Sequence, residues 1–323
     1  MRVARSVGVR EVRIDDAPEP EAGPGDVVCR VLACGVCGSD VADAWVAPKL
    51  PVVLGHELTG EVVAVGSAVA GGGVAVGDRV VIHHHAPCGE CRRCRRGHET
   101  LCESFRTTNL DPGGFAERVR VPAELVDELL VLNGLDAERG TFVEPLGCVL
   151  RAFARCDLHA GDSLLVVGAG TSGLLAISAA HARGVEAVWV REPRPERMER
   201  ALGLGAERHG NELVDVVICC TAAPAALADA FAAVAPGGVL CLYAPPGPGR
   251  MLDLDGLSLY RREIDVVASY SAGPADMRAA YSLLAGGSVD PGPWITHRLG
   301  LEETGRALDL ARSGEAVKAL VLP

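Results

Sequence analysis

The sequence predicts an α/β protein with two parts, a β-rich domain and a doubly wound parallel sheet. Up to about residue 145, short Val-rich segments such as "ELTGEVVAVGSAV" are separated by glycines and prolines, as in strands joined by turns. Beyond that point, continuous apolar segments alternate with helical patterns, which is typical of a parallel sheet covered on both faces. The chain has 323 residues and is 49% hydrophobic, which suffices for two domains with substantial cores.

The individual segments of the first part support this prediction. "DVVCRVLACGVC", "GDRVVIHHHAPC" and "GGFAERVRVPAE" each contain a Val-rich strand pattern that ends at turn residues. The glycine-rich run "VAGGGVAVGD", residues 69–78, predicts a flexible turn.

The second part opens with "GDSLLVVGAGTSGLLAISAAHARG", which predicts a strand, a glycine turn and a helix, and "VEAVWV" predicts the next strand. "PERMERALGLGA" predicts a helix, with proline at its start and Gly-Ala at its end. "VDVVICC" and "GGVLCLY" predict two further strands, and "AVKALVLP" predicts a closing strand. The late segments "PADMRAAYSLLAGG" and "LEETGRALDLARSG" have the pattern of amphipathic helices.

Composition restricts the classes of function. The formal net charge of −11 argues against a general nucleic-acid-binding protein. The N-terminal segment lacks the apolar run of a secretion signal, and no uncharged apolar stretch approaches the ~20 residues that span a bilayer. We therefore expect a cytoplasmic protein that binds neither nucleic acid nor a membrane. There the twelve cysteines should be reduced, so clustered cysteines are expected to be metal ligands.

A glycine motif opens the second part. Gly168, Gly170 and Gly173 stand in G-x-G-x-x-G register, with Thr171 and Ser172 between the last two. The motif follows a predicted strand and begins a predicted helix, which is the context that a dinucleotide-binding site requires. The glycines allow a tight turn and the close approach of backbone to a pyrophosphate at a helix N-terminus.

An acidic residue should follow this motif and hold the adenosine ribose. Glu192 ends the next predicted strand, 19 residues after Gly173, and its charge favours NAD because it repels a 2′-phosphate. Arg191 and Arg194 flank it, however, and arginines are what an NADP site uses. We expect NAD, with NADP as the alternative, and Arg197 of the following helix as a further cofactor contact.

A cysteine cluster lies at residues 86–103. Cys88, Cys91, Cys94 and Cys102 have the spacing C-x2-C-x2-C-x7-C. Four thiolates on one short lobe satisfy a tetrahedral zinc and leave no open position, so the predicted site is structural. An iron–sulfur centre is a minor alternative.

A catalytic zinc instead keeps a position open for an exchangeable ligand. The candidates for its ligands come from three short motifs, each of which also has an ordinary structural interpretation when taken alone. "GVCGSD" supplies Cys37, "VLGHELTG" supplies His56 and Glu57, and "FVEPLGC" supplies Glu144. Cys37 alone could be a core thiol, His56 a loop histidine and Glu144 an acid at a helix start.

Taken together, the motifs carry a resemblance to a known family. They are "GVCGSD", "GHELTGEVVAVG", "GDRVV", the four-cysteine lobe, "GGFAE", "EPLGCVLRA", "VVGAGTSGLLA" and the ending "GPWITHRLGLEETGRALDLARSGEAVKALVLP". The chain resembles the zinc-dependent medium-chain dehydrogenases, in the branch of sorbitol (polyol) and threonine dehydrogenases, over nearly its whole length. The resemblance implies a GroES-like catalytic domain, residues 1–150 and 286–323, and a Rossmann domain, residues 151–285.

The resemblance also implies roles for particular residues. Cys37, His56 and an acid, either Glu57 or Glu144, would hold the catalytic zinc, and the four-cysteine lobe would hold a second, structural zinc. Family members use NAD or NADP as cofactor, and this chain would act on a small alcohol or ketone as a homodimer or homotetramer.

Two further residues match positions around the catalytic zinc. Asp40 matches the family acid that orients the ligand histidine. Ser39 matches the hydroxyl that hydrogen-bonds the substrate oxygen and takes up the alcohol proton as hydride leaves for the nicotinamide.

The sequence departs from the family pattern around the substrate. Ala42 stands where many relatives carry a histidine that relays the proton to solvent, so alcohol oxidation is expected to need alkaline pH. Cys37 and His56 are only 19 positions apart, which makes Trp45 a candidate substrate contact, although it could equally pack the domain. His85 has the spacing of a histidine that contacts substrate in threonine-specific relatives; a solvated loop is the ordinary alternative.

The Rossmann half also appears short. In "LGLGAERHGNELVDVVICC", about nine residues stand where relatives fit a further strand and helix, so we expect a sheet trimmed by about one strand–helix unit.

The leading hypothesis is a zinc-dependent oxidoreductase that transfers a hydride between a secondary alcohol, such as a polyol, sugar or amino-alcohol, and NAD. An NADP-dependent carbonyl reductase on the same fold is the alternative within enzymes. A catalytically silent protein that binds zinc and cofactor is the alternative of another class.

Overall fold

Two units make up the computed structural model, which describes residues 1–69 and 73–323. The first unit joins Met1–Glu144 to Gly273–Pro323, and the second comprises Pro145–Ala272. The turn expected at residues 69–78 lies partly outside the described residues, which begin again at residue 73.

The strands divide between the units, with β9 to β14 in the second and the others in the first. In chain order they are β1 (Arg2–Gly8), β2 (Glu11–Asp16), β3 (Val27–Gly35), β4 (Val52–Val53), β5 (Glu57–Val65), β6 (Arg79–Ile82), β7 (Arg118–Val121), β8 (Leu130–Val131), β9 (Ser163–Val167), β10 (Ala187–Arg191), β11 (Glu207–Arg208), β12 (Val214–Cys219), β13 (Val234–Leu242), β14 (Asp265–Ala268), β15 (Ile295–Gly300) and β16 (Lys318–Leu322).

The helices are mostly short in the first unit and longer in the second. They are α1 (Asp43–Val46), α2 (Glu103–Thr107), α3 (Ala123–Val126), α4 (Ala137–Gly140), α5 (Val143–Arg155), α6 (Thr171–Ala182), α7 (Pro195–Gly203), α8 (Pro224–Ala233), α9 (Gly256–Arg261), α10 (Pro274–Ala285) and α11 (Thr304–Ser313). Single 3₁₀ turns lie at Gly38–Val41, Ala47–Lys49, Cys94–Arg96, Glu99–Leu101, Gly292–Trp294 and Leu301–Glu303. Among the described residues, no helix combines the length and apolar character needed to cross a membrane.

The first unit is β-rich, as the sequence predicts. Its larger sheet has the order β15-β16-β3-β5-β6-β8, with β7 paired to the first half of β3, and a smaller sheet has the order β2-β1-β4. A common apolar core contains Val27 and Val31 of β3, Val62 of β5, Val80 of β6 and Leu308 of α11. The central strand β3 pairs antiparallel with β5 and with β16, so that Gly35 lies between Glu57 and Leu320.

The second unit is a parallel six-stranded sheet. Its order is β11-β10-β9-β12-β13-β14, and every pair in it is parallel. This is the strand order of a doubly wound dinucleotide-binding fold, with β9 at the point where the order reverses. The apolar runs that predicted the sheet are its central strands, where Leu165 and Val217 are fully buried.

The sequence predicts that this sheet lacks about one strand–helix unit. In the structure the strand is present and the helix is missing. The edge strand is kept as the two residues Glu207–Arg208 of β11, and residues 209–213, all of which the structure describes, run to β12 without a helix. Five residues are too few for even two turns of α-helix plus its connections. The sheet therefore has six strands and lacks one covering helix.

The boundaries of the units differ from the expected residues 150 and 286. Helix α10, which the sequence analysis assigned to the Rossmann domain, lies in the first unit. There the Tyr281 hydroxyl donates to the carbonyl oxygen of Val131 at 2.9 Å and accepts from the Asn133 N–H at 2.8 Å. An amphipathic pattern identifies the helix and its apolar face but gives no sign of which core it covers.

Candidate metal and cofactor sites

The four cysteines of the lobe converge in the first unit. The sulfur atoms of Cys91 and Cys94 lie 3.6 Å apart, and those of Cys88 and Cys102 lie 3.5 Å apart. All four sulfurs lie within 4.8 Å of one another. Because a Zn–S bond is about 2.3 Å long, two sulfurs on a tetrahedral zinc lie about 3.8 Å apart. The four thiols therefore fit one zinc ion with no position left open.

The arginines of this lobe lie at the surface of the protein. Arg92, Arg93, Arg95 and Arg96 are all exposed. They separate the ligands along the chain and cover no part of the core.

A second group of metal-ligating atoms comprises Cys37, His56 and Glu57, which lie within 4.8 Å of one another. The sheet brings them together although the first two are 19 positions apart. Cys37 follows the end of β3, and His56 immediately precedes β5, whose first residue is Glu57. Since Gly35 pairs with Glu57 in the antiparallel ladder, the end of one strand meets the start of the other.

The 3₁₀ turn after Cys37 places two polar side chains beside His56. The Oδ1 atom of Asp40 lies 3.4 Å from Nδ1 of His56, and its Oδ2 atom accepts from the Cys37 N–H at 3.0 Å. The Ser39 hydroxyl lies 3.5 Å from Nε2 of the same ring. Asp40 therefore orients the imidazole from one side and leaves Nε2 directed toward Ser39, as expected for the acid that supports a ligand histidine.

The electrostatics of this pair follow from its burial. Burial alone would raise the pKa of Asp40, but the His56 charge and hydrogen bonds from His56 and the backbone lower it below its usual value. Burial would lower the pKa of His56, but the charges of Asp40 and Cys37 raise it well above its usual value. The negative charges of Asp40 and Cys37 thus favour the protonated form of this imidazole.

Glu57 forms an ion pair that the sequence analysis missed. Its Oε2 atom is paired with the ammonium of Lys318 from β16, and the two side chains are only 2% and 1% exposed. The ammonium also lies 5.3 Å from the centre of the Phe142 ring. Burial would lower the pKa of Lys318, but the charges of Glu57 and Cys37 hold it above its usual value. The signal in the sequence was a charged residue within an apolar strand: Lys318 is one of only two lysines in the chain.

Glu144, the other candidate acid, stands outside the group of three. It is buried near the start of α5, where its charge contributes to the raised pKa of Lys318. Of the two acids, Glu57 is the one whose carboxylate lies within ligand distance of Cys37 and His56.

Three consecutive histidines, His83, His84 and His85, follow β6, and the middle one lies next to His56. The His84 ring lies 4.9 Å from the His56 ring and 4.0 Å from the His85 ring, measured between centroids. His83 packs at 5.9 Å against Phe105, and both of its ring nitrogens are buried without a hydrogen-bond partner. Burial lowers the pKa of His83 to about 3 and that of His85 to about 4, so these rings are neutral near pH 7.

His85 and Trp45, the candidate substrate contacts, are both accessible in part. Nδ1 of His85 lies 2.6 Å from the Thr108 carbonyl oxygen. A carbonyl only accepts, so Nδ1 carries the hydrogen and Nε2 of the neutral ring is an acceptor. Trp45 is 44% exposed and therefore is not a core residue. The Lys49 ammonium lies 5.1 Å from its ring centre.

The donor set of Cys37, His56 and Glu57 fits a catalytic zinc. Thiolate, imidazole and carboxylate are the ligands that zinc takes in proteins, and three protein ligands leave a fourth position open. The orientation of His56 by Asp40 supplies the supporting interaction that such ligands need.

The glycine motif of the second unit forms the turn between β9 and α6. Gly168 has a φ of +99°, which favours glycine, and Gly170 precedes the first helical residue, Thr171. A Cβ atom on Gly173 would overlap the carbonyl oxygen of Gly168, so the helix can pack this close to the turn only with glycine there. With Ser172 in the first turn, the backbone N–H groups of this helix start form a cradle that fits a pyrophosphate.

Glu192 follows β10 and reaches this turn. Its Oε2 atom accepts from the Ala169 N–H at 2.7 Å and its Oε1 atom accepts from the Arg194 N–H at 3.0 Å. The Arg197 guanidinium is half-buried and lies 3.7 Å from where a Cβ atom on Gly170 would stand. The Glu192 carboxylate is thus held at the carboxyl end of the sheet by two backbone N–H groups, those of Ala169 and Arg194.

Two family models match this chain, one in each half. The family model described as "Alcohol dehydrogenase GroES-like domain" matches residues 23–129, and the one described as "Zinc-binding dehydrogenase" matches residues 173–286.

Individual relatives span the whole chain. It is 30% identical over 350 aligned residues to sorbitol dehydrogenase of Bacillus subtilis, covering 100% of this chain and 97% of that protein. It is 31% identical over 354 aligned residues to L-threonine 3-dehydrogenase of Pyrococcus abyssi, with the same coverage. A solved structure presented as a zinc-binding dehydrogenase from Sinorhizobium meliloti 1021, bound to NADP, is 28% identical with a TM-score of 0.89, covering 100% and 99% of the two chains.

Proposed function

Because the chain belongs to the zinc-dependent medium-chain dehydrogenase family, we propose that it transfers a hydride between a secondary alcohol and a nicotinamide cofactor. The observation that carries the proposal is the convergence of Cys37, His56 and Glu57 beside Asp40 and Ser39. A protein that used this fold only for structure would have no need of the open ligand set together with its orienting acid and its hydroxyl.

The proposal assigns two zinc ions to each chain. Cys37, His56 and Glu57 would hold the catalytic zinc, and the four lobe cysteines the structural one. When bound at the first group, zinc acts as a Lewis acid that lowers the pKa of an alcohol and polarises a carbonyl.

The protein's own groups supply the remaining steps. Asp40 fixes the ring of His56 and keeps its Nε2 atom facing the ligand group. Ser39 Oγ, 3.5 Å from that nitrogen, is placed to accept the proton of the substrate hydroxyl and pass it toward the cofactor ribose. A nicotinamide cofactor, when bound, would supply the redox chemistry by accepting the hydride of the substrate carbon.

NAD is the proposed cofactor. The turn from Gly168 to Gly173 would hold the pyrophosphate, and the fixed Glu192 carboxylate would accept from the ribose hydroxyls. A 2′-phosphate at this position would meet the negative charge of Glu192 directly. The specific alcohols named for the relatives, sorbitol and threonine, suggest a polyol, sugar or amino-alcohol here, in a homodimer or homotetramer that light scattering would measure.

The test is a substrate screen on zinc-replete protein. NAD or NADP reduction is followed with polyols, sugars and amino-alcohols, and zinc is measured by mass spectrometry. We expect about two zinc ions per chain, turnover with NAD, and a loss of about 100-fold in kcat for Ser39→Ala with unchanged zinc content. The exposed Ser282→Ala change on α10 is the matched control. Protein that binds zinc and cofactor but reduces neither NAD nor NADP with any of these alcohols would support the catalytically silent alternative.

A second candidate has one observation in its favour. Arg194 and Arg197 lie beside Glu192, and arginines suit a 2′-phosphate. An NADP-dependent carbonyl reductase would show kcat/KM at least about tenfold higher with NADP than with NAD, and that result would replace the NAD assignment.

A further inference from the structure

Arg191 is the last residue of β10 and immediately precedes Glu192, the proposed ribose ligand. Side chains alternate between the two faces of a sheet along a strand, so Arg191 lies on the face of Trp189 and opposite to Val190. Trp189 packs against the apolar cluster that contains Phe231 of α8. Arg191 therefore leaves β10 on the side of the sheet that α8 covers.

The Arg191 guanidinium contacts two separate elements of the second unit. Its Nη1 atom donates to the Asp229 carbonyl oxygen of α8 at 3.3 Å and lies 4.0 Å from the Oδ2 atom of the same residue. Its Nη2 atom donates to the Gly210 carbonyl oxygen at 3.3 Å. Both terminal nitrogens of the planar fork thus bond backbone carbonyls, and these two bonds fix the direction of the guanidinium.

Gly210 belongs to residues 209–213, which the structure describes in full and which connect β11 to β12 without a helix. This connection closes on itself, because the Gly210 N–H donates to the Glu212 carboxylate at 2.8 Å and Nε2 of His209 lies 2.9 Å from the Glu212 carbonyl oxygen. The His209 N–H also donates to the Val190 carbonyl oxygen of β10 at 3.1 Å. Arg191 adds a side-chain tie between β10 and the connection, and this tie also reaches α8.

The other two arginines near Glu192 belong to the next helix, α7. Arg194 directly precedes this helix, and Arg197 lies in its first turn. The Nη1 atom of Arg197 is 3.7 Å from where a Cβ atom on Gly170 would stand, so this guanidinium lies beside the glycine turn that fits a pyrophosphate. Arg191, in contrast, has its guanidinium bonded to α8 and to residues 209–213.

We propose that Arg191 is a positioning residue of the cofactor site and not a ligand of a 2′-phosphate. By tying the end of β10 to α8 and to residues 209–213, it supports the strand end from which Glu192 extends, where the missing helix gives no support. The discrimination between NAD and NADP then depends on Glu192 and on Arg194 and Arg197. This inference rests on the proposed cofactor site and names the arginines that determine its specificity.

Nucleotide binding tests the proposal without turnover. The fluorescence of NADH and NADPH, titrated with the zinc-loaded full chain, gives a Kd for each nucleotide. Arg191→Met should raise both Kd values about fivefold and leave their ratio within about twofold, because a loosened strand end affects either nucleotide alike. The double change Arg194→Gln and Arg197→Gln should raise the Kd of NADPH about tenfold relative to that of NADH. Arg208→Met, at an exposed arginine of β11, is the matched control and should change neither value.

Arg191→Lys separates positioning from charge. A single ammonium keeps the charge but lacks the fork that bonds two carbonyls, so both Kd values should rise as in Arg191→Met. A loss of NADPH affinity alone in Arg191→Met, restored by Arg191→Lys, would identify a phosphate ligand and overturn the inference. Unchanged Kd values with a lowered melting temperature would assign Arg191 to folding alone and overturn it as well.

The same titration distinguishes a failure of this inference from a failure of the proposed function. If the parent chain binds neither NADH nor NADPH, the proposed cofactor site is refuted, and the role of Arg191 with it. If the parent chain binds them but oxidises no alcohol, the dehydrogenase function is refuted, and the Kd values of the variants still decide the role of Arg191.

Discussion

The buried pair of Glu57 and Lys318 makes a quantitative prediction about stability. The Lys318→Met change keeps the length of the aliphatic stem and removes the charge, which leaves the Glu57 carboxylate without its counter-ion. Because the side chains are only 1% and 2% exposed, water cannot take over the role of the ammonium. The same change removes the contact of the ammonium with the Phe142 ring and its hydrogen bond to the Val36 carbonyl oxygen.

The size of the effect follows from this burial. Exposed ion pairs contribute about 0–1 kcal/mol, but removing one member of a buried pair costs about 3–5 kcal/mol, since an uncompensated charge remains in the core. We therefore expect Lys318→Met to lower the free energy of unfolding by about 3 kcal/mol or more. For a protein with a total stability of about 5–15 kcal/mol, this is a large fraction.

The assay is urea unfolding at pH 7 of the zinc-free chain, arranged as a double-mutant cycle with Glu57→Gln. The double variant has no buried charge at this place, so it should recover about 2 kcal/mol relative to Lys318→Met alone. Lys49→Met, at the exposed lysine, is the matched control and should cost less than about 0.5 kcal/mol. A cost below about 1 kcal/mol for Lys318→Met, or a double variant as unstable as the single one, would refute the reasoning.

Four further predictions follow from the sites. Cys91→Ser should lower the zinc content by about one ion per chain and lower the melting temperature before it affects kcat, as measured by metal analysis and calorimetry. His83 has a pKa of about 3 against an ordinary value of 6.5, so its contribution to stability is present above pH 6.5 and is lost as the pH falls toward 3. His83→Phe should therefore reduce the acid-side slope of unfolding free energy by up to about 1.4 kcal/mol per pH unit, measured in urea. Glu192→Gln should raise the NADP-to-NAD ratio of kcat/KM about tenfold in steady-state assays, because the charge facing a 2′-phosphate is removed. Alcohol oxidation should rise between pH 6 and 9, and Ala42→His should extend activity to lower pH by restoring a proton relay.

Each of these has a clear contrary outcome. Unchanged zinc content in Cys91→Ser would show that the Cys91 thiol is not a zinc ligand. An acid-side slope equal to that of the parent would show that His83 is not the titrating group, which would leave His84 and His85, whose pKa values are also lowered. If the NADP-to-NAD ratio of kcat/KM is unchanged in Glu192→Gln, the neighbouring arginines determine the cofactor preference. A rate of alcohol oxidation that stays constant from pH 6 to 9 would show that the alanine at position 42 does not impair proton transfer to solvent.

The metal lobe and the nucleotide turn could be read from the sequence because their geometry is local. Cys88 to Cys94 lie within seven residues, and a chain segment that short can place its thiols around one ion in few ways. The glycine turn is likewise determined by its own backbone, as the positive φ of Gly168 and the close approach at Gly173 show. Glu192 followed from a spacing rule that the parallel pairing of β9 and β10 enforces.

Contacts across long sequence separations were not predictable in the same way. Nothing in the residues near Lys318 shows that its ammonium pairs with Glu57, and an amphipathic pattern could not assign α10 to a unit. The edge strand β11 has two residues, both exposed, so it lacks the apolar pattern by which the other strands were recognised. The position of Glu57 within 4.8 Å of Cys37 and His56 likewise depends on the register of β3 and β5, which no local pattern encodes.

Lys318 shows what strand β16 contributes to the first unit besides its hydrogen bonds. Strand β16 pairs with β3 so that Leu320 lies opposite Gly35, whose other neighbour is Glu57. A Cβ atom on Gly35 would collide with both the Glu57 carboxylate and the Lys318 side chain, so glycine there makes room for the pair. The last strand thus does more than complete a sheet. It carries the ammonium that pairs with Glu57, a carboxylate of the proposed metal group, and so couples the folding of the C-terminal segment to the charge of that group.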